Sequence, residues 1–121
     1  WEQTCFELFL GVQGEHLYRE INLCPSQAWQ AYQFEEYRYP EDMPPQAADD
    51  IELNQLKRTH YGLNVSVDLT DFMATHKLKW ENLFLGLSAV LKTSQGDQYY
   101  AMQHSSPQAD FHNKRDWLHV F

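Results

Sequence analysis

The sequence predicts an all-β fold, an antiparallel β-sandwich, on three observations. Apolar and polar residues alternate with a period of two through most of the chain. Aromatic residues are 15% of the total and fall with β-branched ones inside those alternating runs. Turn-forming residues break the chain into about eight short runs, with one weak helical segment among them.

Thr4 to Leu10 is the first strand, closed by Gly11 and Gly14. Leu17 to Leu23 follows, with Leu17, Arg19, Ile21 and Leu23 on one face and Tyr18, Glu20 and Asn22 on the other, ending at Pro25-Ser26. These two runs read as a hairpin. Ala28 to Phe34 is a third strand, and the acidic, proline-rich segment Tyr39 to Pro45 reads as an exposed loop. Ile51 to Leu56 and Tyr61 to Leu69 form a second hairpin turning near Thr59-His60, with Leu63, Val65, Val67 and Leu69 alternating over polar residues. Thr70 to Ala74 contains no glycine and opens with a side-chain oxygen at the expected N-cap, so it reads as a short helical connector. Leu83 to Lys92 is nearly all apolar and suits a central strand buried on both faces. Residues Ser94 to Asp97 turn it into Gln98 to Met102, a loop begins at Ser105, and Trp117 to Phe121 supplies a closing strand. No linker or repeat divides residues 1–121, so one domain is expected.

A formal charge of −8 and the absence of a basic cluster argue against nucleic acid as a partner. No apolar run is long enough to span a bilayer, since Gly86 and Ser88 interrupt the longest. The two cysteines, Cys5 and Cys24, read as free thiols, although one disulfide is the open alternative.

Familiar catalytic signatures are missing, with no phosphate loop, no His-Glu-x-x-His and no nucleophile elbow, so the chain does not read as an enzyme. Six histidines lie far apart and form no ligand pair by spacing. No metal site is expected; His104 with His112 is the one pairing a folded-back loop can make. Of the aromatics, most are expected in the core, including Trp29 and Trp80, while Trp1, Tyr37, Tyr39 and Phe111 fall in loops or at strand ends.

Glu7 is a carboxylate in the middle of an apolar strand. It shares a face with Cys5 and Phe9, and burying it unpaired costs several kcal/mol, so it must meet solvent, a partner or a ligand. If the first hairpin registers as read, Glu7, Glu20 and Asn22 form a polar patch of acceptors suited to hydroxyl groups. An ordinary wet sheet face is the plainer alternative.

The run from Trp1 to Leu10, with Glu7 six residues after Trp1, resembles a strand of family-nine carbohydrate-binding modules and related DOMON-like domains. Tyr18 to Ser26, followed by Trp29, Tyr32, Phe34 and Tyr37-Arg38, is similar to the "EFN-x-x-PS … W-x-x-Y-x-F … YR" stretch of bacterial DOMON-like proteins. Leu87 to Leu91, Tyr99 to Met102, His104 and Asp110-Phe111-His112 resemble the later strands and the closing Asp-Phe-His loop. Essentially the whole chain is covered, in order.

That resemblance implies a jelly-roll-like sandwich that binds a sugar or, in another branch, haem. In the sugar branch two rings sandwich the ligand, at positions matching Trp1 and Phe111, and Glu7 matches the hydroxyl acceptor. Stacking suits a pyranose because its C–H face is apolar while its hydroxyl rim needs hydrogen-bond partners. Glu20 stands where that branch has Arg, and Ser88 at or near its Gln. The expected ligand-binding set is therefore Trp1, Glu7, Glu20, Asn22, Ser88, Phe111 and His112. Haem would need Met43, Met73 or Met102 with His104 or His112 as axial ligands; no cofactor is the leading expectation. Family members carry further strands ahead of the first one here, which implies missing N-terminal strands, an unpaired sheet edge and a homodimer.

The function this implies is a non-catalytic module recognising a carbohydrate or similar small polar ligand. A haem-binding electron-transfer domain, or an interaction domain with no ligand, is the alternative.

Overall fold

The structure, a computed structural model, describes residues 3–26, 28–58, 60, 63–93, 96–101 and 112. In chain order the elements are β1 (Gln3–Val12), β2 (Tyr18–Leu23), β3 (Trp29–Phe34), β4 (Glu52–Arg58), β5 (Leu63–Asp68), α1 (Thr70–Thr75), a 3₁₀ turn (Trp80–Asn82), β6 (Leu83–Thr93) and β7 (Gly96–Ala101). The fold is all-β in class, and every strand pair is antiparallel. The expected turn at 94–95, the loop from Ser105 and the closing strand 117–121 lie outside the described residues.

Five strands form one sheet in the order β3-β2-β1-β6-β7, and β4-β5 is a separate two-stranded sheet. Strand β6 returns by a long connection to lie beside β1, a Greek-key arrangement. A jelly roll needs a second Greek key, and among the described residues β4-β5 does not supply one. β1 has hydrogen-bonded neighbours on both sides. The outer strands of this sheet are β3 and β7. At the outer side of β3, Gln33 N donates to Gln46 O at 2.8 Å and Ala48 N to Ala31 O at 2.9 Å, so residues 46–48 cover that border.

Alternation sorts the side chains of the large sheet onto two faces. Leu10, Val12, Ile21, Leu23, Ala31 and Leu83 bury one face against Ile51 and Phe72, with Leu53, Leu56 and Val67 of the small sheet packed on them. Leu53 and Leu56 are three residues apart, a spacing that an unbroken strand would split between faces. The register shifts between Leu53 and Gln55, leaving Leu53 opposite Val67 and Leu56 opposite Val65. That bulge returns both leucines to the core side.

Arg19 lies on this same face and is buried, so its charge requires a partner. Asp50 supplies a two-pronged one, Nε to Oδ1 at 3.0 Å and NH2 to Oδ2 at 2.8 Å. The guanidinium also sits 5.1 Å from the centre of the Phe72 ring. Burial alone would raise the Asp50 carboxyl, but the hydrogen bonds and charge of Arg19 outweigh it and hold Asp50 below its ordinary value of 3.8.

Three expectations need correction. Trp29 and Trp80 are 42% and 54% exposed rather than core; Trp29 opens the sheet-border strand β3 and Trp80 lies in a short turn, where no second layer covers them. The buried rings are Phe9, Tyr18, Phe34 and Phe72. β6 is not buried along both faces, since Leu87 is 45% exposed beside a cleft of about 460 Å³ that it lines with Phe6, Leu63 and Val65. The helix cap is Asp68, whose Oδ1 accepts from Thr70 N at 2.8 Å; Leu69 holds the N-cap position and Thr70 is already the first helical residue.

Two stability measurements check this account. Phe72→Ala is expected to cost about 3–5 kcal/mol in urea unfolding, because a fully buried ring that also packs on Arg19 leaves a cavity. Asp50→Asn is expected to cost about 3 kcal/mol at neutral pH by stranding a buried guanidinium. With the folded pKa of Asp50 depressed, the stabilisation is complete above the ordinary Asp value and disappears as pH falls through the folded one, so the gap to wild type closes in acid. An equal gap at all pH values would contradict the assignment.

Candidate functional site

The opposite face of the sheet carries the polar cluster. Glu7 pairs with Asn22 on β2 and with Ser88 on β6. Residues directly opposite each other in an antiparallel ladder share a face, so Ser88, Glu7 and Asn22 form one row across three strands. The next row sets Phe9 opposite Glu20, and the one beyond it Gly11 opposite Tyr18. The register expected from alternation therefore brings Glu7, Glu20 and Asn22 together, and Ser88 joins them. Beyond Glu7 and Asn22, Cys5 and Cys24 are not joined in a disulfide, and their sulfurs stand 3.7 Å apart.

His112 closes over this patch. Its Nε2 lies 3.6 Å from Glu20 Oε1, and its Nδ1 is 2.8 Å from the Tyr18 hydroxyl. One atom each from Glu7, Glu20 and His112 fall within 4.8 Å of one another. The imidazole stands edge-on to three rings, with centroids 4.9 Å from Phe9, 5.3 Å from Phe34 and 5.7 Å from Tyr18. Tyr18 and Phe34 are themselves stacked at 4.8 Å. The aromatic box fixes the ring plane, and Tyr18 fixes which nitrogen faces the carboxyl groups.

Tyr18 is held in turn from outside the sheet. Its oxygen accepts the backbone N–H of Arg38 at 2.9 Å, and Arg38 adopts a left-handed φ of 51°. That conformation costs a side-chain-bearing residue roughly 1 kcal/mol or more, and the turn at 36–39 keeps it through the bridge between Glu36 and Tyr39. Burial is the main reason the Tyr18 phenol is pushed up to about 12, so it stays protonated and available for hydrogen bonding.

Glu20 is buried and has no cation as close partner in this cluster apart from the imidazole. Burial, then a hydrogen bond and charge from Glu7, hold its carboxyl far above the ordinary 4.5, while Arg38 pulls the other way. Glu20 is therefore protonated at neutral pH. Flanking the two acids, Asn22 Oδ1 and Ser88 Oγ are buried and make no hydrogen bond among the described residues. Such orphans are uncommon, because a buried polar atom without a partner forfeits its hydration.

Of the sequence-expected set, Glu7, Glu20, Asn22, Ser88 and His112 converge. Trp1 and Phe111 lie outside the described residues, as do Met102 and His104. For haem, Met43 is 90% exposed and Met73 packs into the core of the opposite face, so neither reaches His112. Sequence reasoning sought a metal partner for His112 in His104 and overlooked Glu7 and Glu20, which converge with it here. Tyr18 and Arg38 were also missed as site residues. The alternation that groups Tyr18 with Glu20 and Asn22 was the available signal for Tyr18.

The protonation of Glu20 has a measurable consequence. Between the ordinary Glu value and its raised folded one, the folded chain keeps a proton that the unfolded chain loses, so stability declines as pH rises across that interval. Glu20→Gln keeps the shape and removes the titration. Its stability relative to wild type is expected to improve steadily from about pH 4 to about pH 8 in denaturant titrations, and a difference independent of pH would show Glu20 to be ionised. Comparison with known protein families, curated proteins and solved structures gives no match to this chain.

Proposed function

We propose that this chain is a non-catalytic binding module that recognises a carbohydrate or similar small polar ligand at the Glu7, Glu20, Asn22, Ser88 and His112 cluster. The observation that carries the reading is the pair of unpartnered buried oxygens, Asn22 Oδ1 and Ser88 Oγ, on either side of Glu7. Hydroxyl groups both donate and accept, so a polyol satisfies such oxygens and a carboxylate together. Three acceptors on one row of a sheet match a rim of adjacent hydroxyls better than a single charged group. The similarity of the Trp1 and Phe111 segments to sugar-stacking positions adds the apolar half of the recognition.

Isothermal titration against a panel of mono- and disaccharides tests this. A saturable heat is expected for at least one sugar. Glu7→Gln should then weaken it about tenfold or more, the loss of a charge-assisted hydrogen bond of roughly 1.5–3 kcal/mol. Trp1→Ala should cost about 1–3 kcal/mol while the fold survives. A panel without heat, or binding indifferent to Glu7→Gln, defeats the proposal.

A further inference from the structure

We propose that Glu7, Glu20 and His112 form a binding site for one divalent first-row transition-metal ion, zinc or manganese, held by Nε2 of His112 and one oxygen from each carboxylate. The three groups come from β1, from β2 and from a residue 92 positions further along the chain than Glu20, and their ligand atoms lie within 4.8 Å of one another. Three atoms bound at about 2.1 Å to a tetrahedral ion lie about 3.4 Å from one another, so pairs within 4.8 Å close by at most about 1.4 Å as the carboxylates rotate. His112 Nε2 and Glu20 Oε1 already stand 3.6 Å apart, close to that separation.

Charge and ligand type select the ion. Two carboxylates neutralise the charge of a dication. Calcium takes about six to eight oxygens, whereas an imidazole nitrogen with two carboxylates suits zinc or manganese. Ligating histidines anchor their other ring nitrogen to a fixed hydrogen-bonding group, and Nδ1 is anchored to Tyr18 at 2.8 Å. That leaves Nε2 as the nitrogen facing the carboxyl groups.

The second, independent observation is Ser88. It is 4% exposed, its Oγ has no hydrogen-bond partner, and it stands directly opposite Glu7 on the same face, with the unpartnered Asn22 Oδ1 on the other side. Three protein ligands leave coordination positions for water, and waters on the ion give Ser88 and Asn22 the partners they lack.

The site does not depend on sugar recognition, and the experiment separates the two. Metal-stripped protein is titrated with manganese(II), following loss of the free-ion signal by electron paramagnetic resonance, then with zinc(II) in competition, without sugar. One ion per chain is expected. His112→Ala and Glu20→Gln should each weaken it tenfold or more, Ser88→Ala by a smaller factor, and magnesium should not compete at equal concentration. Circular dichroism of each variant checks that it folds, and the isosteric Glu7→Gln serves as a further ligand variant should His112→Ala fail to fold. No binding at millimolar metal overturns the proposal, as does a bound ion whose affinity is unchanged by Glu20→Gln and Glu7→Gln. Sugar binding without metal binding overturns this inference alone, and metal binding without sugar binding overturns only the carbohydrate reading.

Discussion

Two consecutive residues of β2, Arg19 and Glu20, are both buried, and strand geometry sends them to opposite faces of the same sheet. No strand can bury adjacent charges without solving both. On the Arg19 face the solution is complete: a forked carboxylate, an aromatic ring beneath the guanidinium and a backbone carbonyl at 3.2 Å. On the Glu20 face the nearest acidic neighbour is a second acid, and the aromatic box brings only an imidazole. The contrast is what marks the second face as a site. A structural ion pair is closed, while a buried acid beside a half-buried one, flanked by oxygens unsatisfied among the described residues, offers contacts to a small polar group.

The site depends on elements distant in sequence. Arg38 holds Tyr18 from a strained turn after β3, Tyr18 orients His112, and His112 faces acids on β1 and β2. Each link is a hydrogen bond or a close polar contact, and Tyr18 at its centre is fully buried. Such a chain keeps the imidazole within a narrow range of positions, which recognition by a few polar contacts requires.

Much of this was legible in the sequence because a β-strand has a two-residue period. Alternation in Leu17 to Leu23 and a carboxylate in an apolar run sufficed to put Glu7, Glu20 and Asn22 on one face, and the hairpins fall where the turn residues put them. What was not legible rests on loop closure. Nothing local to Asp50 says that it meets Arg19, and nothing local to His112 says that it meets Glu20, since both contacts join segments with no periodic relation. The exposure of Trp29 and Trp80 was misread because hydrophobicity sorts residues by face, not by whether a second layer reaches that part of the face. The Asn54 bulge was invisible for the opposite reason: it breaks the period on which the reading relied.

The segment that ends at Asp50 performs two tasks. Residues 46–48 hydrogen-bond along the outer rim of β3, and two residues later Asp50 grips Arg19. A bare rim of amide and carbonyl groups is a template on which foreign extended chains assemble into fibrils. Here the template is occupied by the protein's own backbone. In strong acid, where Asp50 is protonated, the ion pair just beyond this covering segment is lost while the backbone bonds of 46–48 to β3 carry no titratable group.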